Sequence, residues 1–155
     1  MEFKRVVKFP EHLNKGAIER AVEAFVNESH TLESGAEPQG LYNQTLESMA
    51  QVLMFNQDGR QVWMADHEGE VVAYALCHVS KDVDNKLCYW ITQGWVHSRV
   101  KGHKIVKVWY GVLKDEAKKL FCKHIVMPSS RNPKAYIRFL GKQVHTYVTL
   151  LKEDI

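Results

Sequence analysis

Residues 96–140 decide the fold of this chain, and they read VHSRVKGHKIVKVWYGVLKDEAKKLFCKHIVMPSSRNPKAYIRFL. From Ile105 the apolar residues recur at the helical period while the lysines lie mostly on the other side. This pattern predicts an amphipathic helix over residues 105–121. A short apolar strand is predicted next, at residues 124–127. The stretch therefore places a helix between two strands, which is the order of a crossover connection.

A further helix is predicted to start at Asn132 and Pro133, because asparagine is a good N-cap and proline is favoured at the first helical position. Gly141 is well placed to end this helix. The apolar run 144–151 then predicts a last strand.

The N-terminal part predicts a strand at residues 3–9, stopped by Pro10, and two helices joined by a loop. Three strands of a meander follow, rich in Val, Trp, Tyr and Leu. The predicted ranges are helices at 12–28 and 41–54, a loop at 29–40, and strands at 61–65, 71–79 and 87–97. The order is strand, two helices, three-strand meander, helix, strand, helix, strand. This order predicts an α/β fold with a mixed, mostly antiparallel sheet.

Composition predicts a single domain over residues 1–155, since 155 residues with 45% hydrophobic content suffice for one core. Cys77, Cys88 and Cys122 lack Cys-x-x-Cys spacing, which favours reduced thiols and a cytoplasmic location. No run approaches the roughly 18 apolar residues of a membrane helix, so no membrane association is expected. The eight histidines lack the spacing of a zinc site, and we expect no metal.

The order from the meander onward resembles the GNAT N-acetyltransferases. In that family a strand ending in Val-His-Pro leads into a loop Arg/Gln-x-x-Gly-x-Gly/Ala, which holds the pyrophosphate of acetyl-CoA. Val96-His97-Ser98 stands at the strand end. Lys101 takes the Arg/Gln place, and the two glycine places fall on Lys104 and Val106. A shifted register with Arg99 in the Arg/Gln place puts the glycine places on Gly102 and Lys104, and so retains one of the two. The resemblance implies acetyl-CoA as cofactor, with these residues as candidate contacts: Val96, Arg99, Lys101, Gly102, His103, Lys104 and Asn132.

Three departures from the family pattern favour an inactive or altered site. Lys104 and Val106 put side chains where glycine lets the backbone approach a phosphate. Phe139 stands where the family often has a tyrosine that protonates the CoA thiolate, and phenylalanine has no proton to give. The predicted strand 87–97 contains no carboxylate to act as base, which leaves His78 as a weak candidate and His97 as another. No catalytic residue is assigned.

A narrower resemblance links the runs 88–92 and 137–140 to the internal core proteins of short-tailed phages, which are similar to GNAT proteins and lack the key residues of the enzyme. The resulting hypothesis is a non-catalytic binding or structural protein, plausibly of a phage virion, located in the host cytoplasm and the virion. The alternative is an acetyl-CoA-dependent N-acetyltransferase acting on an amine. Expected partners are other proteins or a second copy of the chain, and nucleic acid through the basic helix 104–123.

Overall fold

The structure is a computed structural model that describes residues 2–28, 37–55, 59–100 and 103–127, apart from the side chain of His103. Its elements, in chain order, are β1 (Lys4–Val6), α1 (Ala17–Glu28), α2 (Pro38–Phe55), β2 (Arg60–His67), β3 (Glu70–Lys81), β4 (Leu87–Val96), α3 (His103–Lys119) and β5 (His124–Val126). The helix predicted from Asn132 and the strand predicted at 144–151 lie outside the described residues.

The described strands form one sheet in the order β1-β2-β3-β4-β5. Neighbours from β1 to β4 pair antiparallel, and β5 pairs parallel to β4 after the α3 crossover. The prediction of a mixed, mostly antiparallel sheet is confirmed.

The β2–β3 hairpin is tighter than predicted. Both strands continue to His67 and from Glu70, so only Glu68 and Gly69 form the turn. Their φ values, 52° and 78°, are both positive, as a two-residue turn matched to the twist of a hairpin requires. The predicted strands, which ended at residue 65 and resumed at residue 71, were too short because the polar residues flanking the turn also pair.

Both N-terminal helices begin at other residues than predicted. α1 begins at Ala17, because Gly16 has a φ of 77° that no helix allows. The predicted start at residue 12 was wrong for that reason. α2 begins at Pro38, inside the predicted loop, since proline fits the first helical position.

The two faces of the sheet carry different helices. α1 and α2 pack on one face, against side chains such as Val62, Tyr74 and Leu76. α3 packs on the other face, against side chains such as Trp63, Ala75 and Tyr89. Successive strand residues point to opposite faces, which is why the meander is apolar almost throughout.

A buried hydrogen-bond network ties the α3 face of the sheet to α3. Tyr89, fully buried, donates to Gln61 Oε1 at 2.6 Å and accepts from Trp63 Nε1 at 3.1 Å. Gln61 Nε2 in turn donates to Glu116 Oε1 on α3 at 3.2 Å. The Trp63 N–H also lies 3.1 Å from Gln61 Oε1. Gln61 is therefore the acceptor that two buried donors share.

We expect Gln61→Leu to destabilise the fold by about 1–3 kcal/mol, since the Tyr89 hydroxyl and the Trp63 N–H lose a common acceptor inside the protein. Urea unfolding measures this loss. Gln39→Leu is the matched control, because Gln39 is exposed on α2 and its substitution should change stability by no more than about 0.5 kcal/mol. Equal effects of the two substitutions would contradict a stabilising role for the network.

Candidate functional site

The C-terminal half of β4 has fewer strand partners than its N-terminal half among the described residues. Among the described residues, β5 pairs with β4 only over Cys88, Tyr89 and Trp90, while β4 continues to Val96. Thr92 and Gly94 are exposed in this half although the neighbouring strand β3 is buried. No strand among the described residues pairs with the β4 edge beyond Trp90 on the β5 side, and we call this stretch the open edge.

A β-bulge lies at the start of this open edge. Leu76 of β3 is opposite Gln93 and Cys77 is opposite Ile91, so Thr92 is an extra residue in β4. The Thr92 hydroxyl donates to the Leu76 carbonyl at 3.0 Å. Because of the extra residue, the odd-numbered side chains of β4 point to one face of the sheet before the bulge and to the other face after it. Tyr89 and Ile91 lie on the α3 face, whereas Trp95 lies on the α1/α2 face.

Two buried indole N–H groups flank the open edge without a hydrogen-bond partner among the described residues. They belong to Trp90, the last β4 residue paired with β5, and Trp109 of α3. The Trp109 ring lies against Gly94, where an added Cβ would be 2.6 Å from the ring. An unpartnered buried N–H costs about 1–3 kcal/mol. The two indoles lie on opposite faces of the sheet, because Trp90 stacks on His78 on the α1/α2 face whereas Trp109 packs on the α3 face.

The loop after β4 leads to a basic helix start. His97 closes a turn in which its carbonyl accepts from Val100 N at 3.0 Å and its Nδ1 accepts from Arg99 N at 3.0 Å. α3 has no acidic residue in its first turn, and Arg99 and Lys104 are exposed beside it. The positive end of the helix dipole and these cations favour an anion at this point.

His78 lies in β3, one strand away from Trp90, where the described pairing of β4 with β5 ends. It is opposite Trp90 in the β3–β4 ladder, and the two rings stack at a centroid distance of 5.8 Å with an angle of 3°. Burial of the half-buried imidazole, with a smaller contribution from Arg60, lowers the pKa of His78 below its ordinary 6.5. The ring is therefore neutral at pH 7 and able to accept a proton.

The sequence profile of the acetyltransferase (GNAT) family matches residues 20–143. The chain belongs to the GNAT family. No match was found among curated proteins.

Solved structures with a similar fold cover nearly the whole chain. A putative acetyl transferase from Pyrococcus furiosus is 14% identical with a TM-score of 0.67, covering 99% of this chain and 100% of its own. An aminoglycoside antibiotic 6′-N-acetyltransferase from Acinetobacter haemolyticus is 11% identical with a TM-score of 0.65, covering 100% and 99%. A ribosomal-protein-alanine N-acetyltransferase from Brucella melitensis is 12% identical with a TM-score of 0.60, covering 99% and 100%. At these identities the likeness establishes the GNAT fold.

The structure describes only some of the residues that were predicted to contact acetyl-CoA. Val96 is buried at the end of β4, and Arg99 and Lys104 are exposed on either side of the loop. Val106 packs against the sheet with residues of the α3 face. Lys101, Gly102, Asn132 and Phe139 lie outside the described residues, as does the side chain of His103, whose backbone begins α3. Their roles stay predictions, and so does the resemblance to phage core proteins.

The structure places a carboxylate beside β4 that the sequence analysis missed. Glu28, the last residue of α1, accepts a hydrogen bond from Trp95 Nε1 at 3.2 Å. Trp95 is buried and meets His97 edge to face at 5.5 Å. A search confined to the strand could not find Glu28, because the two residues are 67 positions apart.

Charge is divided between the two faces of the sheet. Residues 21–59, which include α2 and most of α1, contain six acidic residues and no lysine or arginine. Residues 99–123, which include α3, contain eight lysines and arginines and two acidic residues. The chain has a formal charge of only +3, yet its two helical layers have opposite signs.

None of the helices in residues 2–28, 37–55, 59–100 and 103–127 is both long and apolar enough to cross a membrane.

Proposed function

We propose that this GNAT protein is an acetyl-CoA-dependent N-acetyltransferase that acetylates an amine. The observation that carries the proposal is the open edge of β4 after the bulge, with a basic helix start at its end. The family and the fold support the same activity, and calorimetric titration with acetyl-CoA tests the cofactor site that it requires.

The open edge of β4 and the start of α3 suit the parts of acetyl-CoA. Within the described residues, the β4 edge beyond Trp90 pairs with no strand on the β5 side, and such an edge suits an extended arm that carries amides, in the way that a strand is added to a sheet edge. Arg99, Lys104 and the first turn of α3 suit the phosphates. Because Val106 packs against the sheet, we treat it as a core residue of α3 and not as a barrier to the phosphates. Acetyl-CoA, when bound, supplies an acetyl group activated as a thioester.

His78 acts as the general base in this proposal. An amine attacks a carbonyl only through its free lone pair, so a proton must leave its nitrogen. The neutral imidazole of His78 accepts that proton, directly or through one water molecule. A thiol has an ordinary pKa of about 8.5, so its sulfur can leave without a strong acid, and Phe139 at the tyrosine place does not prevent the reaction.

The acceptor amine is expected to approach from the α1/α2 face. His78 lies on this face of the sheet, and the exposed carboxylates of Glu23, Glu28, Glu37 and Glu47 attract a protonated amine toward it. The phosphates are drawn to the opposite, basic layer. The two substrates would therefore reach β4 from opposite faces.

A second candidate is a GNAT-fold protein that binds other molecules without catalysis, as a structural component of a phage virion or another assembly. Lys104 at a glycine place and Phe139 at the tyrosine place favour it. This candidate predicts no turnover, and absence of acetyl-CoA binding would support it.

Calorimetric titration with acetyl-CoA tests the proposed site. We expect micromolar binding, weakened at least 10-fold in the double variant Arg99→Glu, Lys104→Glu, because both cations stand beside the expected phosphates. The double variant Lys15→Glu, Lys81→Glu is the control, since it makes the same charge change at exposed positions away from α3. No heat of binding by the unmodified protein, or equal weakening by both pairs, would overturn the site.

A further inference from the structure

We propose that the outer face of α3 binds the phosphate backbone of a nucleic acid. The surface, which we call the α3 lysine face, consists of Lys107, Lys114 and Lys118, with Lys104 at its N-terminal end. At 100° per residue these four side chains lie within one third of the helix circumference, opposite the buried Leu113. The rise of 1.5 Å per residue spreads them over about 21 Å.

The charges of the α3 lysine face are free for a partner. All four lysines are exposed, and no ion pair within the described part of the chain joins them to a carboxylate. Lys119 and Lys123 extend the exposed positive charge past the end of the helix. A row of lysines without carboxylate partners is a strong electrostatic footprint for a polyanion.

The middle of the face lets a partner approach the helix backbone closely. Gly111 lies between Lys107 and Lys114, and an added Cβ there would meet no atom within 4 Å. Glycine inside a helix costs about 1 kcal/mol relative to alanine, and no neighbouring side chain in the described residues requires it. A bare backbone between two lysines fits contact with a sugar-phosphate chain.

Nucleic acid fits this face better than an acidic protein does. Protein interfaces are depleted in lysine and enriched in aromatic residues and arginine, whereas nucleic-acid interfaces are rich in positive charge. The α3 lysine face has no arginine or exposed aromatic side chain between Lys104 and Lys118. The acidic α1/α2 layer repels phosphates, so a nucleic acid would bind on the α3 side alone.

Fluorescence anisotropy with a labelled 20-base-pair duplex and a labelled single-stranded RNA tests the inference. We expect binding at 50 mM salt that weakens about 100-fold by 200 mM. The triple variant Lys107→Gln, Lys114→Gln, Lys118→Gln should weaken binding at least 10-fold. It should also reduce the slope of log affinity against log salt by about 3, because each phosphate contact contributes about 0.9.

The control variant Lys4→Gln, Lys8→Gln, Lys15→Gln removes the same charge from exposed positions at the β1 side of the molecule and should bind like the unmodified protein. Three results would overturn the inference: no binding of either probe at 50 mM salt, equal loss in both triple variants, or displacement by polyglutamate as effective as by unlabelled nucleic acid. The last result would identify an acidic protein as the partner. The acetyl-CoA titration is a separate measurement, so either proposal can fail while the other stands.

Discussion

Replacing His78 by glutamine is expected to lower kcat/KM for amine acetylation by about 100-fold to 10,000-fold. Glutamine keeps much of the volume of the side chain but cannot accept a proton, so the attacking amine loses its base. The affinity for acetyl-CoA should stay unchanged, because His78 lies on the α1/α2 face and the phosphates are expected on the basic side. Steady-state kinetics and calorimetry on the same preparation separate the two effects.

The pH profile makes this prediction specific to a base. The pKa of His78 is lowered by burial and by Arg60. We therefore expect kcat/KM to rise with pH, with the midpoint of the rise below pH 6.5 and a plateau at higher pH. Arg60→Gln removes a nearby positive charge, which raises the pKa of His78 and moves the midpoint upward. His67→Gln, at an exposed position of the hairpin, is the control. An unchanged kcat/KM and pH profile in His78→Gln would rule out His78 as the base.

Gly94→Ala is expected to destabilise the fold by about 1–3 kcal/mol, the usual cost of overpacking. The new methyl group would lie 2.6 Å from the Trp109 ring, closer than two carbon atoms can approach. The ring must therefore shift, and α3 packs on β4 through this contact. Gly111→Ala is the matched control. It adds the same methyl group in open space inside α3 and should stabilise by up to about 1 kcal/mol.

A double-mutant cycle isolates the contact. Trp109→Leu alone should destabilise, because a large, half-buried ring is lost. In the Trp109→Leu background, however, Gly94→Ala should cost much less than in the native background, since the clashing ring atoms are gone. Urea unfolding of the four proteins gives the coupling. If the two substitutions change the free energy of unfolding by strictly additive amounts, Gly94 is not required for the packing of Trp109.

The order of the described elements was predictable from the sequence because their apolar periods are clear. α3 shows the helical period from Ile105 onward, and the meander strands are continuous apolar runs between polar turns. Some wrong boundaries lay where one backbone angle or one turn decides the matter, and the predicted strand 3–9 was too long because only Lys4–Val6 pairs with β2. Gly16 delays the start of α1, and the two-residue turn at Glu68 and Gly69 lengthens both hairpin strands.

The candidate site was much less predictable. The position of the loop after β4 was predictable from Val96-His97. His78 could be named as a candidate base, but its stacking on Trp90 could not be predicted. The bulge at Thr92 depends on the register between β4 and β3, and this register cannot be read from the sequence of β4 alone. The contact between Glu28 and Trp95 joins the end of α1 to the end of β4 only after both helices have packed on the sheet.

The most direct test of the proposed acetyltransferase is release of free CoA thiol from acetyl-CoA in the presence of spermidine, a lysine tripeptide or kanamycin, followed by mass spectrometry of the amine. The account predicts that thiol release depends on at least one of these amines, that the amine gains an acetyl group, and that His78→Gln loses the reaction. No amine-dependent thiol release, together with no calorimetric binding of acetyl-CoA, would contradict it and leave a GNAT fold that acts through binding alone.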